Sequence, residues 1–218
     1  MIQIAPSILS GNFLHLEPDL KMINEHADLI HIDVMDGSLV PNISFGFPVM
    51  EAIAKVIEVP MDVHLMIVHP EKYIERFAKA GAQMISFHLE AADEAGIDAG
   101  EILDLVHRCG AKAGLAIDPD VPVDRLYPYI EKVDFFLIMS VFAGFGGQKF
   151  IEDSIGRIRQ LHEEMERRGI LRPIEVDGGV SAANAVQLAD AGAEILVAGS
   201  SVFKAADPAE AIKQMRVR

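Results

Sequence analysis

Cysteine and tryptophan are almost absent from this sequence of 218 residues, which contains one cysteine, Cys109, and no tryptophan. A lone cysteine cannot form a disulfide within the chain, which excludes the small extracellular proteins that depend on internal disulfides. Basic residues are scarce as well, because 19 lysines and arginines stand against 33 aspartates and glutamates, a formal net charge of −14. This excess of acid argues against a surface that binds nucleic acid or an anionic membrane.

Long hydrophobic runs are also missing, although 50% of the residues are hydrophobic. No stretch approaches the roughly 20 apolar residues that a membrane helix needs. The first residues, MIQIAPSILSGNF, lack the basic flank and the apolar core of a signal peptide. We therefore expect a cytoplasmic protein, and the length predicts one domain over residues 1–218.

What the sequence does contain is a regular alternation of short β-rich runs and amphipathic helical stretches. The eight predicted strands lie at residues 3–7, 29–35, 61–67, 83–89, 112–117, 134–140, 173–177 and 194–199. Nearly continuous apolar strands in this alternation predict a parallel sheet covered by helices, and eight such units favour a (β/α)8 TIM barrel. A doubly wound open sheet is the alternative. It carries a glycine-rich turn after its first strand, whereas here the glycine pairs follow the sixth and seventh strands.

The helical stretches, such as residues 100–110, 153–169 and 181–193, carry recognisable end signals. Ser181 is a predicted N-cap because its side chain can accept a hydrogen bond from the first turn of a helix. Four glycines fall where helices should end, namely Gly81, Gly110, Gly169 and Gly192.

Ionisable side chains interrupt the apolar strands at positions that share one face. In LIHIDVMDG, residues 29–37, His31 and Asp33 lie two residues apart, so both point to the same side of the strand. His64 and Asp177 are the last polar residues of the third and seventh strands, and Asp62 and Glu175 lie two residues before them. In a TIM barrel the catalytic groups gather at the C-terminal ends of the strands, so we expect these side chains to converge at the mouth.

Two imidazoles and two carboxylates at one mouth predict a site for a divalent metal ion, and this set of ligands suits Zn²⁺, Fe²⁺, Mn²⁺ or Co²⁺. The alternative is that these residues are hydrogen-bonded members of the core, which is the ordinary explanation for a single buried histidine. Four such residues at equivalent strand ends favour the metal. His88 nearly ends the fourth strand, and we expect it to support a ligand rather than to bind the ion.

Glycine-rich loops follow the last three strands, with the sequences GFGGQ, DGGV and AGSSVF. Glycine allows backbone N–H groups to approach an anion closely, and phosphate sites in these barrels commonly use the loops after strands seven and eight. A single glycine pair is more often only a turn, but two such loops in the right places, at Gly178–Gly179 and Gly199–Ser200, favour a phosphate. The predicted phosphate-binding residues are Gly144, Gly146, Gly147, Gly178, Gly179, Gly199 and Ser200.

Taken together, these blocks resemble the ribulose-phosphate 3-epimerase family. The resemblance covers nearly the whole chain and rests on IAPSILS, HIDVMDG followed by VPN, DVHLM, GFGGQKF, EVDGG and VAGS, in that order. It implies a (β/α)8 barrel that interconverts D-ribulose 5-phosphate and D-xylulose 5-phosphate, with a small phosphorylated ketose as its substrate. It also implies a homo-oligomer.

The resemblance implies roles for individual residues. The implied metal ligands are His31, Asp33, His64 and Asp177. Asp33 and Asp177 are also the implied acid/base pair, which moves protons through an enediolate, and Ser7 is an implied substrate contact. The implied cap over the reacting carbons consists of Met35, Met66 and Met139. Filling of the core is the alternative role for these methionines.

The chain departs from the usual pattern of the family at four places. SILSGNF, MDGSLVPN and IDPDVP replace sequences that usually read SILSADF, MDGHFVPN and LNP-x-TP. In VFAGFGGQ, Phe142 and Ala143 stand where the family typically has a proline before GFGGQ. Because the resemblance implies that this loop closes over the substrate, an epimerase of a hexulose phosphate such as D-allulose 6-phosphate is the alternative function.

Two more distant functions remain as alternatives. Barrels that resemble orotidine-phosphate decarboxylase carry an Asp-x-Lys arrangement on their strands, whereas MDVHLM has a histidine and no lysine. A barrel that binds a sugar phosphate without catalysis would not need both carboxylates and all four metal ligands. The sequence therefore favours the epimerase.

Overall fold

The computed structural model describes residues 2–216 and shows eight parallel strands that alternate with helices around a barrel. The strands are β1 (Gln3–Pro6), β2 (Ile30–Met35), β3 (Met61–Met66), β4 (Ala82–His88), β5 (Lys112–Ile117), β6 (Phe135–Met139), β7 (Ile174–Asp177) and β8 (Ile195–Ala198). They pair in the order β1-β8-β7-β6-β5-β4-β3-β2, and a parallel bridge between Ser7 and His31 joins the two ends of this order. The predicted TIM barrel is confirmed.

Helices surround the strands. They are α1 (Leu16–His26), α2 (Phe47–Ile53), α3 (Ile74–Lys79), α4 (Leu89–Ala95), α5 (Ala99–Arg108), α6 (Asp153–Arg168), α7 (Ala185–Asp190), α8 (Ser200–Phe203) and α9 (Pro208–Met215). A 3-10 helix, Val123–Tyr129, takes the place of an α-helix between β5 and β6. Across residues 2–216, every helix is too short or too polar to cross a lipid bilayer.

The ends of the helices follow the glycine signals but not the serine signal. All four predicted stop glycines have positive φ and lie within three residues after the ends of α3, α5, α6 and α7. The prediction for Ser181 is wrong, because α7 begins at Ala185 with Asn184 as its N-cap. Ser181 instead stabilises the turn that precedes this helix, since its Oγ accepts a hydrogen bond from the Ala183 amide at 3.3 Å.

The strands are buried on both faces, which explains their nearly continuous apolar character. Residues such as Ile30, Ile32 and Val63 pack in the main apolar core with residues of the helices. The alternate residues of each strand point into the barrel. Near the starts of the strands, Phe135 and Ile195 belong to an apolar cluster in the interior. The polar side chains therefore lie above an apolar floor, near the C-terminal mouth.

Candidate active site and metal centre

The strand ends bring together the four predicted metal ligands. One ligand atom from each of His31, Asp33, His64 and Asp177 lies within 4.8 Å of the ligand atoms from the others. Asp33 Oδ1 lies 3.2 Å from His31 Nε2 and 3.3 Å from His64 Nδ1. Asp177 Oδ2 is 3.9 Å from His64 Nδ1. The alternation of side chains along β2, β3 and β7 thus produces one cluster of nitrogen and oxygen donors that could hold a metal ion.

Hydrogen bonding of the two histidines shows that these residues fit a cation. His31 Nδ1 contacts Asp62 Oδ2 at 2.6 Å. Its Nε2 is buried and, although it lies 3.2 Å from Asp33 Oδ1, makes no hydrogen bond to any of residues 2–216. His64 uses Nε2 for a contact with His88 Nε2 at 2.9 Å, so its Nδ1 faces the carboxylates. A buried nitrogen without a partner costs free energy, and a divalent ion would satisfy it. The contact to His64 agrees with the supporting role expected for His88.

Two further acidic side chains of the barrel interior lie beside this cluster, and no role was expected for them from the sequence. Asp62 contacts His31 directly, and Glu175 Oε1 lies 3.5 Å from His31 Nδ1. A partner on the second ring nitrogen of a metal-binding histidine fixes the orientation and the tautomer of the ring. Their positions two residues before His64 and Asp177 were the available signal, because this spacing places them on the same inward face.

The two candidate acid/base groups have opposite pKa shifts. Burial alone would raise the pKa of Asp33, but His31 and His64 outweigh burial and hold the pKa far below its usual range. Burial and the charge of Asp33 raise the pKa of Asp177 to about 7. Both side chains are buried, but the histidine contacts of Asp33 and the neighbouring charge at Asp177 separate their pKa values: near neutral pH, Asp33 is ionised, whereas Asp177 is present in both protonated and ionised forms.

The histidines are distinguished in the same way. Burial would lower the pKa of His31, but the charges of Asp33 and Asp62 raise it well above its usual value. Burial lowers the pKa of His64 to about 4, and its contact with Asp33 only partly opposes this effect. His64 is therefore neutral at pH 7, whereas His31 must lose a proton before it can bind a metal.

Two serines fix the carboxylate-bearing segments. Ser7 Oγ donates a hydrogen bond to Asp33 Oδ2 at 2.5 Å, so the two oxygens of Asp33 face different partners. Ser140 Oγ donates to the backbone oxygens of Asp177 and Gly178, at 2.9 and 2.7 Å. No role was expected for Ser140 from the sequence, where its position directly after β6 was the only signal for it.

A cavity opens above the carboxylates. Its lining includes Ser7, Asp33 and Asp177 together with all seven predicted phosphate-binding residues on the three glycine-rich loops. Gly178 and Gly179 have φ values of +119° and +63°, and a Cβ on Gly179 would lie 2.6 Å from the backbone nitrogen of Phe150. Glycine is thus required where the loop approaches its neighbour, and the geometry leaves backbone groups exposed to the cavity.

The three predicted cap methionines lie at the same mouth. Met35, Met66 and Met139 line the cavity and are buried. They form an apolar cluster with Val141 and Ala143 of the loop after β6. The methionines therefore provide an apolar, polarizable wall beside the two carboxylates.

Comparison with known proteins places the chain in a family. Residues 3–203 match the ribulose-phosphate 3-epimerase family. The chain is 46% identical over 216 residues to a ribulose-phosphate 3-epimerase from Synechocystis sp., covering 99% of this chain and 93% of that protein. It is 45% identical over 216 residues to a chloroplastic ribulose-5-phosphate-3-epimerase from Arabidopsis thaliana, covering 99% of this chain and 76% of that protein.

A solved structure, KGPDC from Streptococcus mutans, superimposes with a TM-score of 0.72 at 12% identity and covers 99% of this chain and 95% of that one. At this identity the likeness shows the barrel fold alone. The match along residues 3–203 and the identities above 40% show the family directly. The chain belongs to the ribulose-phosphate 3-epimerase family and is an isomerase.

Proposed function

We propose that this protein is a metal-dependent epimerase that inverts C3 of D-ribulose 5-phosphate to give D-xylulose 5-phosphate. The substrate in the names of its relatives supports the pentulose phosphate. The observation that carries the mechanism is the pair of carboxylates, Asp33 and Asp177, which line one cavity and have opposite pKa shifts. Carboxyl groups whose environments separate their pKa values are suited to act as base and acid at the same pH.

Epimerisation requires that a proton leave one face of C3 and that another arrive on the opposite face. In the proposed forward step the ionised carboxylate of Asp33 takes the C3 proton, and the electron pair moves into the C2–C3 bond and onto the carbonyl oxygen. The carboxyl group of Asp177 then donates a proton to the other face of C3, and the carbonyl re-forms. In the closed order of the barrel, the shorter path from β2 to β7 passes β1 and β8 and takes three steps, so these two groups project from different walls.

The two carboxylate oxygens of Asp33 have different contacts. Oδ1 faces His31 and His64, whereas Oδ2 accepts the hydrogen bond from Ser7. We propose that Oδ1 belongs to the metal site and that Oδ2 exchanges the proton with the substrate. The hydroxyl of Ser7 orients Oδ2 and stabilises its charge.

The proposed metal ligands are His31, Asp33, His64 and Asp177. One divalent ion, Zn²⁺, Fe²⁺, Mn²⁺ or Co²⁺, would polarise the oxygens of the ketose and stabilise their negative charge. We propose that Met35, Met66 and Met139 exclude water above the planar enediolate. This environment strengthens the electrostatic interactions on which the proton transfers depend.

The proposed phosphate site is formed by the loops that contain Gly144–Gly147, Gly178–Gly179 and Gly199–Ser200. Donors at these positions are needed because the net charge of −14 opposes the approach of an anion. Backbone N–H groups bind a phosphate without adding a mobile side chain. We also propose that residues 1–218 act as one catalytic domain in the cytoplasm, without a nucleic-acid or membrane partner.

Self-association is part of the proposal. Phe13, Leu14 and Ile43 are apolar side chains with 47, 87 and 74% of their surface exposed. Phe13 packs against Phe45 with ring centroids 5.3 Å apart, so the loops after β1 and β2 form one apolar surface. An apolar surface of this kind supports a homo-oligomer.

Epimerisation by the metal-reconstituted protein in deuterium oxide tests the function. Conversion of D-ribulose 5-phosphate with deuterium at C3 of the product is the expected result. D-allulose 6-phosphate is assayed in parallel, because Phe142 and Ala143 line the cavity and differ from the family pattern. Deuterium at C3 of the hexulose alone would assign the alternative substrate, and no exchange with either compound would refute the epimerase.

A further inference from the structure

The loop after β6 crosses the mouth of the barrel. Residues 141–148, here called the cleft loop, all line the cavity above the carboxylates. Asn42, in the connection that follows β2, donates a hydrogen bond from Nδ2 to the Gly144 carbonyl oxygen at 2.7 Å. In the closed order of eight strands, β2 and β6 are four strands apart and therefore form opposite walls. The cleft loop thus bridges these walls directly above the proposed site.

A second hydrogen bond holds the same loop on the side of β5. The backbone N–H of Ala143 donates to Asp118 Oδ1 at 3.1 Å. Asp118 has a firm position of its own, since its N–H donates to Glu90 Oε1 at 2.8 Å and its carbonyl oxygen accepts from Arg157 Nη2 at 2.7 Å. The Asp118 carboxylate is therefore a fixed acceptor that does not depend on the loop for its place.

These two bonds are the whole polar attachment of the cleft loop within residues 2–216, because its other side-chain hydrogen bonds are internal. Gln148 Nε2 donates to the carbonyl oxygens of Phe142 and Phe145 at 2.7 and 2.8 Å. These internal bonds connect the two ends of the loop to each other. The cleft loop is therefore held over the mouth by Asn42 and Asp118 and by the packing of the small apolar side chains of Val141 and Ala143.

We propose that Asp118 and Asn42 are positioning residues that hold the cleft loop across the barrel mouth and so set how long the substrate is retained. Neither residue lines the cavity, so both act through the loop and not on the reacting atoms. The link to substrate retention rests on the proposed function, whereas the attachment of the loop does not.

Two departures of the sequence from the family pattern meet in this contact. Asp118 belongs to IDPDVP and Ala143 to VFAGFGGQ. A proline at position 143 would have no N–H group to donate, so the hydrogen bond to Asp118 depends on the residue that this chain has there. The substitution Ala143→Pro is therefore a direct means of removing the donor while Asp118 stays in place.

The test compares Asp118→Ala with Asp118→Asn and with Asp120→Ala as the matched control. Asn keeps an oxygen that can accept from Ala143, whereas Ala does not. Asp120 is an exposed carboxylate of the same connection, and its side chain has no hydrogen bond to residues 2–216 in the structure. The measurements are hydrogen exchange of the Ala143 amide, by NMR of the nitrogen-15-labelled protein, and kcat and KM for the ketose phosphate.

In Asp118→Ala we expect the Ala143 amide to exchange about tenfold faster, as for the loss of one hydrogen bond to a charged acceptor. We expect KM to rise by a similar factor, with kcat changed by less than about twofold, because the reacting groups are untouched. Asp118→Asn and Asp120→Ala should behave as the wild type. Asn42→Ala should raise KM in the same way through Gly144.

Two results would overturn the proposal: unchanged exchange of the Ala143 amide in Asp118→Ala, or faster exchange with an unchanged KM. If Asp118→Ala does not fold, Ala143→Pro takes its place in the test and must raise KM. The double variant that combines Ala143→Pro with Asp118→Asn must then have the same KM as Ala143→Pro alone. If the wild type turns over neither ketose phosphate, the proposed function fails, and the exchange of the Ala143 amide still decides whether Asp118 holds the loop.

Discussion

Replacement of Asp177 by asparagine separates the two proton transfers. The change keeps the size of the side chain and an oxygen that can face His64, but it removes the group that gives up a proton. Positioned acids and bases contribute factors of about 10² to 10⁴, so we expect kcat for epimerisation to fall at least about a hundredfold. The assay is conversion of D-ribulose 5-phosphate by the metal-reconstituted variant.

The same variant should retain half of the reaction. Asp33 and its contact with Ser7 are intact in Asp177→Asn. One epimer, the one whose C3 proton faces Asp33, should therefore exchange that proton with deuterium oxide without inverting. The other epimer should be inert. Asp33→Asn should show the opposite pattern, with exchange confined to the other epimer. General damage to the site would slow exchange of both epimers equally.

The fold should tolerate the change, and the structure gives the expected size of the effect. The pKa of Asp177 is raised from 3.8 to about 7, which at 1.36 kcal/mol per unit disfavours the ionised form by roughly 4 kcal/mol. Because the folded-state pKa is the higher one, this penalty begins above pH 3.8 and is complete above about pH 7. In the presence of a chelator, Asp177→Asn should therefore be at least as stable as the wild type at pH 8, with the difference lost near pH 4.

Denaturation by urea at the two pH values measures this effect, and Asp190→Asn on α7 serves as the surface control. Epimerisation by Asp177→Asn within tenfold of the wild-type rate would refute the assignment of two bases. In Asp177→Asn, exchange at C3 of the epimer whose proton faces away from Asp33 would refute the separate roles of Asp33 and Asp177.

Three further predictions concern the phosphate loop, the metal and the apolar surface. Gly179→Ala strains a position with φ of +63° and crowds Phe150, so KM for the ketose phosphate should rise while metal affinity, measured by calorimetry, stays unchanged. Removal of the metal should abolish turnover. Rebinding of the metal at pH 7 should release protons and weaken as the pH falls, because Asp33 and Asp62 keep His31 protonated. Calorimetry in buffers of different ionisation enthalpy counts these protons. Rebinding without proton release would contradict the proposed ligand set. Leu14→Glu should lower the mass measured by light scattering, and an unchanged oligomer would exclude this surface as the interface.

Much of the site could be predicted because it depends on local periodicity. His31 and Asp33 face the same way since side chains alternate along any strand. Eight strands in β-α alternation then place their C-terminal ends at one mouth. The four proposed ligands, the three methionines and the glycine loops therefore came from spacing, together with the family resemblance.

The failures have a different origin. Ser181 has the residue type of an N-cap, but the chain makes a further turn before α7 begins at Ala185, and short-range propensity does not distinguish these outcomes. Ser140 received no role because a serine after a strand is common. Its contacts with the Asp177 and Gly178 carbonyls depend on the pairing of β6 with β7.

Periodicities of two and 3.6 residues and the backbone conformations that glycine allows are local properties of the chain. They were enough to predict the succession of strands and helices, the glycines that end helices and the side chains that face the barrel interior. Three features emerge only when the chain is folded: His31 Nε2 is the nitrogen left for a cation, Asp33 and Asp177 have opposite pKa shifts, and Ala143 meets Asp118. Each of these depends on burial and on distances between segments far apart in the chain, and no local pattern encodes those quantities.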